Sequence, residues 1–184
     1  MKLPLTIHKK EFYFVRHGEI DYPLYFSENS DEIPLNSNGI RQAEDIKTII
    51  ESLPIHTICY SPIRRAQETK NIIARDLSCQ QFIVEDLSEC SLEVWNAMVA
   101  LETGLLSAED VICSEVMAFF KRAIDGINRA LSFPGPVLIV AHGGIHWAMC
   151  HHMEIEHTKK IGNCIPIHFA LANKDQWKAN VLVS

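Results

Sequence analysis

Apolar runs alternate with amphipathic segments along most of this 184-residue sequence. Short runs rich in aromatic and β-branched residues predict buried strands at 11–15, 57–60, 81–85 and 137–141. Two further strand-like runs lie near 164–172 and 177–183. Strands that alternate with helices predict right-handed crossovers within one sheet. We therefore expect an α/β fold, a three-layer α/β/α sandwich with a mostly parallel central sheet.

Helices are predicted where apolar residues recur at helical spacing. One helix begins at Asn36 and ends before Pro54, and a second begins at Ser61-Pro62, with proline in its first turn. Residues 107–110 have the form of a capping box, which predicts a long helix to about Leu131. A shorter helix follows residues 142–144. The stretches 21–35 and 87–106 lack such a pattern, and the first is expected to be a long loop.

Composition limits the kinds of protein this can be. The length and the absence of a linker predict a single domain over residues 1–184. Seventeen basic against 23 acidic side chains give a net charge of −6, which argues against a nucleic-acid partner. Six scattered cysteines without a Cys-x-x-Cys pair are typical of reduced thiols in a cytoplasmic protein. The N-terminus is too charged for a signal peptide, and no apolar run is long enough to enter a membrane.

Candidate chemistry lies where the predicted strands end. The first strand runs into Arg16-His17-Gly18, and the most continuous apolar strand runs into His142-Gly143-Gly144. The second strand ends before Ser61, which is followed by a helical turn with two arginines, Arg64 and Arg65. Because ligands of open α/β sheets bind beyond the carboxyl ends of the strands, we expect these side chains to meet. Arginine forks suit the paired oxygens of a phosphoryl group.

Four motifs in order resemble those of the histidine phosphatase superfamily, the phosphoglycerate mutase-like proteins. They are Arg16-His17-Gly18-Glu19, Ser61-Pro62-x-x-Arg65-Ala66-x-x-Thr69, Leu87-x-Glu89 and Ala141-His142-Gly143-Gly144. The segment Asp31-x-x-Pro34-Leu35-x-x-x-Gly39-x-x-Gln42-Ala43 is similar to the family's loop into its first helix. The resemblance runs from about residue 11 to 147, and it implies a phosphoglycerate mutase-like fold.

The resemblance also implies roles for particular residues. His17 would be the nucleophile that becomes phosphohistidine, and Glu89 would be the general acid and base. Arg16, Arg65 and His142 would bind the phosphoryl oxygens, with His142 also counted as catalytic. The arginines and His142 would supply the positive charge that a metal brings, so we expect no metal and no cofactor. We further expect Glu19 and Gly143 to contact a small phosphorylated substrate.

Three alternatives stay open. The histidines at 142, 146, 151, 152 and 157 are dense enough to suggest a metal site, although a His-Glu-x-x-His motif is absent. The chain departs from the family pattern at Ile20, Pro23, Glu93 and Ala97, which would suit a phospho-ligand-binding pseudo-enzyme. A mutase is the third possibility, but residues 90–106 are short for the lid that a mutase needs. We therefore expect a phosphatase acting on a small metabolite or a phosphoprotein, with residues 20–34 as one wall of its pocket.

Overall fold

A six-stranded sheet forms the centre of the protein in a computed structural model that describes residues 6–22, 30–102, 114–155, 161–173 and 176–182. The strands are β1 (Phe12–Arg16), β2 (Thr57–Tyr60), β3 (Gln80–Ile83), β4 (Val137–Ala141), β5 (Ile167–Leu171) and β6 (Trp177–Val181). Their order in the sheet is β3-β2-β4-β1-β5-β6. The first four strands in this order are parallel to one another. Beyond β1, β5 pairs antiparallel with β1, and β6 pairs antiparallel with β5. The mostly parallel sheet is confirmed.

Helices cover both faces of the sheet. They are α1 (Ser37–Glu51), α2 (Arg64–Ile73), α3 (Leu92–Glu102), α4 (Ser114–Leu131) and α5 (Gly143–His152). Short 3₁₀ turns lie at Ser30–Glu32 and Glu85–Leu87. Helix α1 begins where the sequence predicts, because the Asn36 side chain accepts a hydrogen bond from the Gly39 amide at 2.8 Å and so caps the first turn.

The side chains of each strand alternate between two cores. Phe12, Phe14 and the residues 137, 139 and 141 pack against α3, α4 and α5. Tyr13, Val15 and the residues 138 and 140 pack against α1 and α2. Since successive strand residues point to opposite faces, strands that are apolar throughout require a helix layer on both sides. The three-layer sandwich is therefore confirmed.

The element boundaries differ from the sequence prediction in several places. Helix α2 begins at Arg64 rather than at Ser61, because Ile63 is still extended and forms the N-cap of the helix. Strand β3 ends at Ile83, two residues early. Helix α3 occupies part of the stretch that the pattern left unassigned. The predicted capping box at 107–110 lies outside the described residues, and the described part of that predicted helix is α4, from Ser114 to Leu131. None of the helices in the described part of the chain is long and apolar enough to cross a membrane.

Candidate active site

Three neighbouring strands bring the candidate residues to one edge of the sheet. β2, β4 and β1 lie side by side, and each is followed at once by a polar residue: Ser61, His142 and His17. The chain keeps the sheet register past the strand ends, because the His17 amide donates to the Ala141 carbonyl at 3.0 Å and the Ser61 amide to the Val140 carbonyl at 3.1 Å. As a result, the rings of His17 and His142 lie with their centroids 5.2 Å apart.

His17 is held in one tautomer. Its Nδ1 lies 2.7 Å from the Gly18 carbonyl oxygen, which can only accept, so Nδ1 carries the proton. Nε2 then has a free electron pair, toward which the Arg65 Nε–H points at 3.3 Å. Burial, followed by the charges of Arg65 and Arg16, holds the pKa of His17 well below its ordinary value. The imidazole is therefore neutral, and Nε2 is the atom that can attack an electrophile.

The backbone around His17 is fixed from several directions. The Gly18 amide donates to Thr69 Oγ1 at 3.0 Å, and the Thr69 hydroxyl donates in turn to the Arg65 carbonyl at 2.8 Å. Asn163 Nδ2 donates to the His17 carbonyl at 2.8 Å. A Cβ atom at Gly18 would lie 2.5 Å from the Gly39 carbonyl oxygen, so only glycine allows α1 to approach this closely. The nucleophile is preorganised by contacts from α1, α2 and the segment before β5.

Two arginines flank His17. Arg65 is buried, and its Nη1 donates to the Ser30 carbonyl at 2.9 Å. Arg16 donates from Nη1 to the Ile161 carbonyl at 2.9 Å and from Nη2 to the Tyr22 hydroxyl at 2.8 Å. Guanidinium groups stay charged and present several N–H donors, so the two side chains can bind the oxygens of an anion.

Two polar atoms at this edge point to an anionic ligand. Among the described residues, the buried side-chain atoms without a hydrogen-bond partner are Arg16 Nε and His142 Nδ1. Buried polar atoms almost always have a hydrogen-bond partner, so two such atoms without one at the same site indicate that a ligand supplies the missing hydrogen bonds. Burial and the neighbouring His17, Arg65 and Arg16 hold the pKa of His142 well below its ordinary value. This lowered pKa favours a neutral imidazole that contributes a hydrogen bond, and it argues against the expectation that His142 contributes positive charge.

Glu89 approaches the site from the loop between β3 and α3. Its Oε1 accepts from the Cys90 amide and from the Gly144 amide, each at 3.0 Å. Gly144 lies in the first turn of α5, where the unpaired amides favour a carboxylate. A Cβ atom at position 144 would collide with Glu89 Oε1. The glycine at 144 is thus what allows Glu89 to reach the helix end beside His142.

A cavity of about 230 Å³ opens in front of these groups. Its lining residues are Arg16, His17, Ile20, Tyr22, Glu89, Leu92, Trp95 and Asn96. Ile20 and Tyr22 come from the loop predicted to form one wall, and residues 23–29 of that loop lie outside the described residues. Apart from Arg16, His17 and Glu89, the described lining is apolar, aromatic or uncharged.

The two predicted substrate contacts occupy different positions. Gly143 lies under the indole of Trp95, since a Cβ there would be 3.4 Å from the ring. Glu19, like Gly143, is outside the described cavity lining, and its carboxylate accepts from Asn36 and Asn38 at 3.0 and 2.8 Å. These amides lower the pKa of Glu19 and tie the loop after β1 to α1. A substrate contact by Glu19 stays a prediction. The contacts that the structure describes for Glu19 stabilise the loop after β1 against α1.

The structure adds residues that the sequence alone did not identify. Asn163 and Arg122 reach the site from segments without a motif, Asn163 to His17 and Arg122 to the Glu89 loop. Tyr22 binds Arg16 but lies in a loop with no periodic pattern. For Arg122, the local signal in the sequence is an arginine on the inner side of an amphipathic helix, where apolar residues are expected.

The histidines do not converge on a metal in the described part of the chain, where no group of three or more His, Cys, Asp and Glu side chains has the required arrangement. His146 packs against Phe14 and Phe169, and His151 stacks on Trp147. His157 lies outside the described residues.

One edge of the sheet thus brings together a histidine with an unprotonated Nε2, two arginines, a second histidine and a carboxylate, an arrangement suited to binding an anion. In agreement, the family model of the histidine phosphatase superfamily (branch 1) matches residues 12–166, and the chain belongs to this superfamily.

Individual relatives agree with this assignment. The chain is 27% identical over 177 residues to an uncharacterized phosphatase, PhoE, of Bacillus subtilis (strain 168), covering 89% of each chain. Its fold is similar to that of an alpha-ribazole phosphatase from Shigella flexneri (TM-score 0.68, 18% identity, covering 95% of this chain and 96% of that one). It is also similar to that of a phosphoglycerate mutase from Bacillus anthracis (TM-score 0.70, 18% identity, 94% and 92%). The fold therefore accommodates both kinds of protein.

Proposed function

We propose that this protein is a metal-independent phosphomonoester hydrolase that works through a phosphohistidine on His17. The observation that carries the proposal is the neutral His17 ring, whose Nδ1 is fixed by the Gly18 carbonyl and whose Nε2 faces Arg65 at 3.3 Å. An uncharged nitrogen surrounded by anion-binding donors is suited to attack a phosphoryl group. The 27% identical relative named as a phosphatase adds support.

In the first step, the electron pair of His17 Nε2 attacks phosphorus and forms a P–N bond. The ester P–O bond breaks, and protonated Glu89 gives its proton to the leaving oxygen. Arg16, Arg65 and the neutral His142 donate to the three remaining phosphoryl oxygens, which carry the charge of the transition state. The alcohol then leaves through the cavity in front of Trp95.

In the second step, water attacks the phosphoryl group from the side that the alcohol has left. The Glu89 carboxylate takes a proton from this water, and the P–N bond breaks, which returns the electron pair to Nε2. Inorganic phosphate and neutral His17 result. Glu89 thus acts as an acid in the first step and as a base in the second.

We further propose a substrate class, a monophosphate ester with a compact, uncharged and partly apolar leaving group. The cavity of about 230 Å³ has room for a phosphoryl group and one ring. Trp95, Leu92 and Ile20 offer it an apolar wall, and Glu89 would repel a second phosphate.

Phosphate release from three esters tests both parts. The substrates are phenyl phosphate, glycerol 3-phosphate and 3-phosphoglycerate with a bisphosphoglycerate primer, each after exhaustive chelation. We expect phosphate release in every case, with the lowest KM for phenyl phosphate, and no release by His17→Ala. Trp95→Ala should raise KM for phenyl phosphate by about 5- to 30-fold and change it little for glycerol 3-phosphate.

Other outcomes point elsewhere. Isomerisation of 3-phosphoglycerate that outpaces phosphate release would replace the hydrolase by a mutase. Loss of activity on chelation would remove metal independence. Tight phosphate binding without turnover of any ester would favour a pseudo-enzyme.

A further inference from the structure

The loop that carries Glu89 is held by hydrogen bonds from one side chain, Arg122, on a helix distant in sequence. Arg122, on α4, donates from Nη1 to the carbonyl oxygens of Asp86 and Ser88 at 3.1 and 2.8 Å. It donates from Nη2 to the Glu89 carbonyl at 3.1 Å. Three carbonyls within four residues therefore converge on one guanidinium from 33 to 36 positions away in the sequence.

A guanidinium is suited to this task in a way that an ammonium is not. Its planar fork offers two nitrogens at fixed separation, so it can hold Asp86 and Ser88 at one and Glu89 at the other. The Phe119 ring lies 5.1 Å from the guanidinium carbon and supports it from behind. Phe119 and its neighbours on α4 belong to the core, so the fork is mounted on a rigid element.

Glu89 is consequently fixed at two points. Its backbone carbonyl is bound to α4 through Arg122, and its carboxylate is bound to the Gly144 amide at the start of α5. A general acid must be within hydrogen-bond reach of the leaving oxygen, and small displacements reduce catalysis strongly. In the described structure Arg122 touches the backbone of this loop, and its effect would pass through Glu89.

From these contacts we propose that Arg122 is a positioning residue for proton transfer, one that sets the place of Glu89 above the phosphoryl site. The proposal rests on the proposed function. It separates Arg122 from Arg16 and Arg65, because Arg122 would affect the leaving group and not the binding of phosphate.

The test is a double-mutant cycle read with two leaving groups. Arg122→Lys keeps the charge and removes the fork, and Arg122→Gln keeps two N–H donors without charge. Each is measured alone and with Glu89→Gln as the single-turnover rate of His17 phosphorylation, because the later attack of water is the same for every ester. The two substrates are glycerol 3-phosphate, whose alkoxide needs a proton, and 4-nitrophenyl phosphate, whose phenolate does not. The matched control is Lys121→Met, the neighbouring cation, which is exposed and paired with Asp125.

We expect Arg122→Lys to lower this phosphorylation rate for glycerol 3-phosphate at least about 10-fold, with the half-saturating concentration within about twofold and a smaller loss for 4-nitrophenyl phosphate. In the Glu89→Gln background the same substitution should change the rate by less than about twofold, because the group that Arg122 positions is gone. Lys121→Met should behave as the wild type. Urea unfolding verifies that each variant is folded, and if one arginine variant fails to fold the other carries the cycle.

Equal losses for both leaving groups would overturn the proposal, and so would an undiminished loss in the Glu89→Gln background. A wild-type rate of His17 phosphorylation in both arginine variants would overturn it as well. These outcomes leave the proposed function intact, since the wild type still releases phosphate. A wild type without phosphate release would instead remove the proposed function itself.

Discussion

Ser61 determines how His142 can act. Its Oγ lies 2.7 Å from His142 Nε2 and already accepts the Ile63 amide at 3.2 Å. The hydroxyl proton then has His142 Nε2 as its acceptor among the described contacts, because the His142 imidazole is neutral. We therefore assign the ring proton to Nδ1, the buried atom that has no partner among the described residues. Ser61 converts His142 into a neutral donor for a phosphoryl oxygen.

Ser61→Ala should lower kcat about 10- to 100-fold, because the imidazole can then take the other tautomer and stop donating to the charged phosphoryl group. Nitrogen NMR of His142 reports the tautomer directly, and we expect the Nδ1–H signal to be lost or averaged. Ser132→Ala, which removes a hydroxyl bonded to the Arg129 carbonyl at the end of α4, is the control and should leave both readouts unchanged. Wild-type kcat in Ser61→Ala with Nδ1–H retained would show that the serine has no such role.

Among the elements, α5 links the second histidine to the general acid. It begins directly after His142, and the amide of Gly144 in its first turn donates to Glu89 Oε1 at 3.0 Å. A Cβ atom at 144 would also lie 2.9 Å from Cys90 Sγ, so neither the carboxylate nor the thiol leaves room for it.

Gly144→Ala should therefore displace Glu89 while leaving the anion site intact. We expect the single-turnover rate of His17 phosphorylation by an alkyl phosphate to fall at least about 10-fold, with a smaller loss for 4-nitrophenyl phosphate and vanadate affinity within about twofold. Gly135→Ala serves as the control, because a Cβ there meets only the Val137 amide nitrogen, at 3.7 Å. An unchanged leaving-group dependence in Gly144→Ala would contradict this role for the helix end.

The elements also show what sequence patterns can predict. The run at 137–141 is apolar throughout because helices cover both faces of β4, and that burial is visible in composition alone. Helix α3 escaped prediction because its pattern is mixed: Val94 and Met98 are buried, whereas Leu92 and Val99 are exposed beside the cavity or solvent. Arg122 and Asn163 could not be predicted from local motifs, since their partners lie more than 30 residues away. The two histidines at the strand ends could be predicted, because the topology of a parallel sheet brings the carboxyl ends of its strands to one edge.

For the molecule as a whole, buried neutral histidines couple folding to pH. His17, His142 and His146 are buried with lowered pKa values, and burial together with the charge of Arg16 lowers the pKa of His146 to about 4. In the unfolded chain these groups titrate near about 6.5, so below that pH the unfolded state binds more protons than the folded state. Stability is therefore fully present above about pH 6.5 and is lost progressively as the pH falls.

His146 allows this coupling to be measured apart from the site chemistry, because it packs among Phe14, Phe169 and Cys150. Between about pH 7.5 and pH 5, His146→Leu should lose about 2 kcal/mol less unfolding free energy than the wild type, since one buried proton acceptor is absent. Urea unfolding at the two pH values provides the comparison, with the exposed His8→Gln as the control. Equal acid losses in the wild type and in His146→Leu would refute the linkage.

Rapid quench of Glu89→Gln with labelled 4-nitrophenyl phosphate tests whether the phosphoryl group passes through Nε2 of His17. This leaving group needs no proton, whereas the second step lacks its base, so the intermediate should accumulate. We predict a burst of about one nitrophenolate per chain and a label that is stable in alkali, lost in acid and located on His17 Nε2. His17→Ala in the same background should form no adduct. A label on any other residue, an adduct that persists in His17→Ala, or turnover with neither burst nor label would contradict the account.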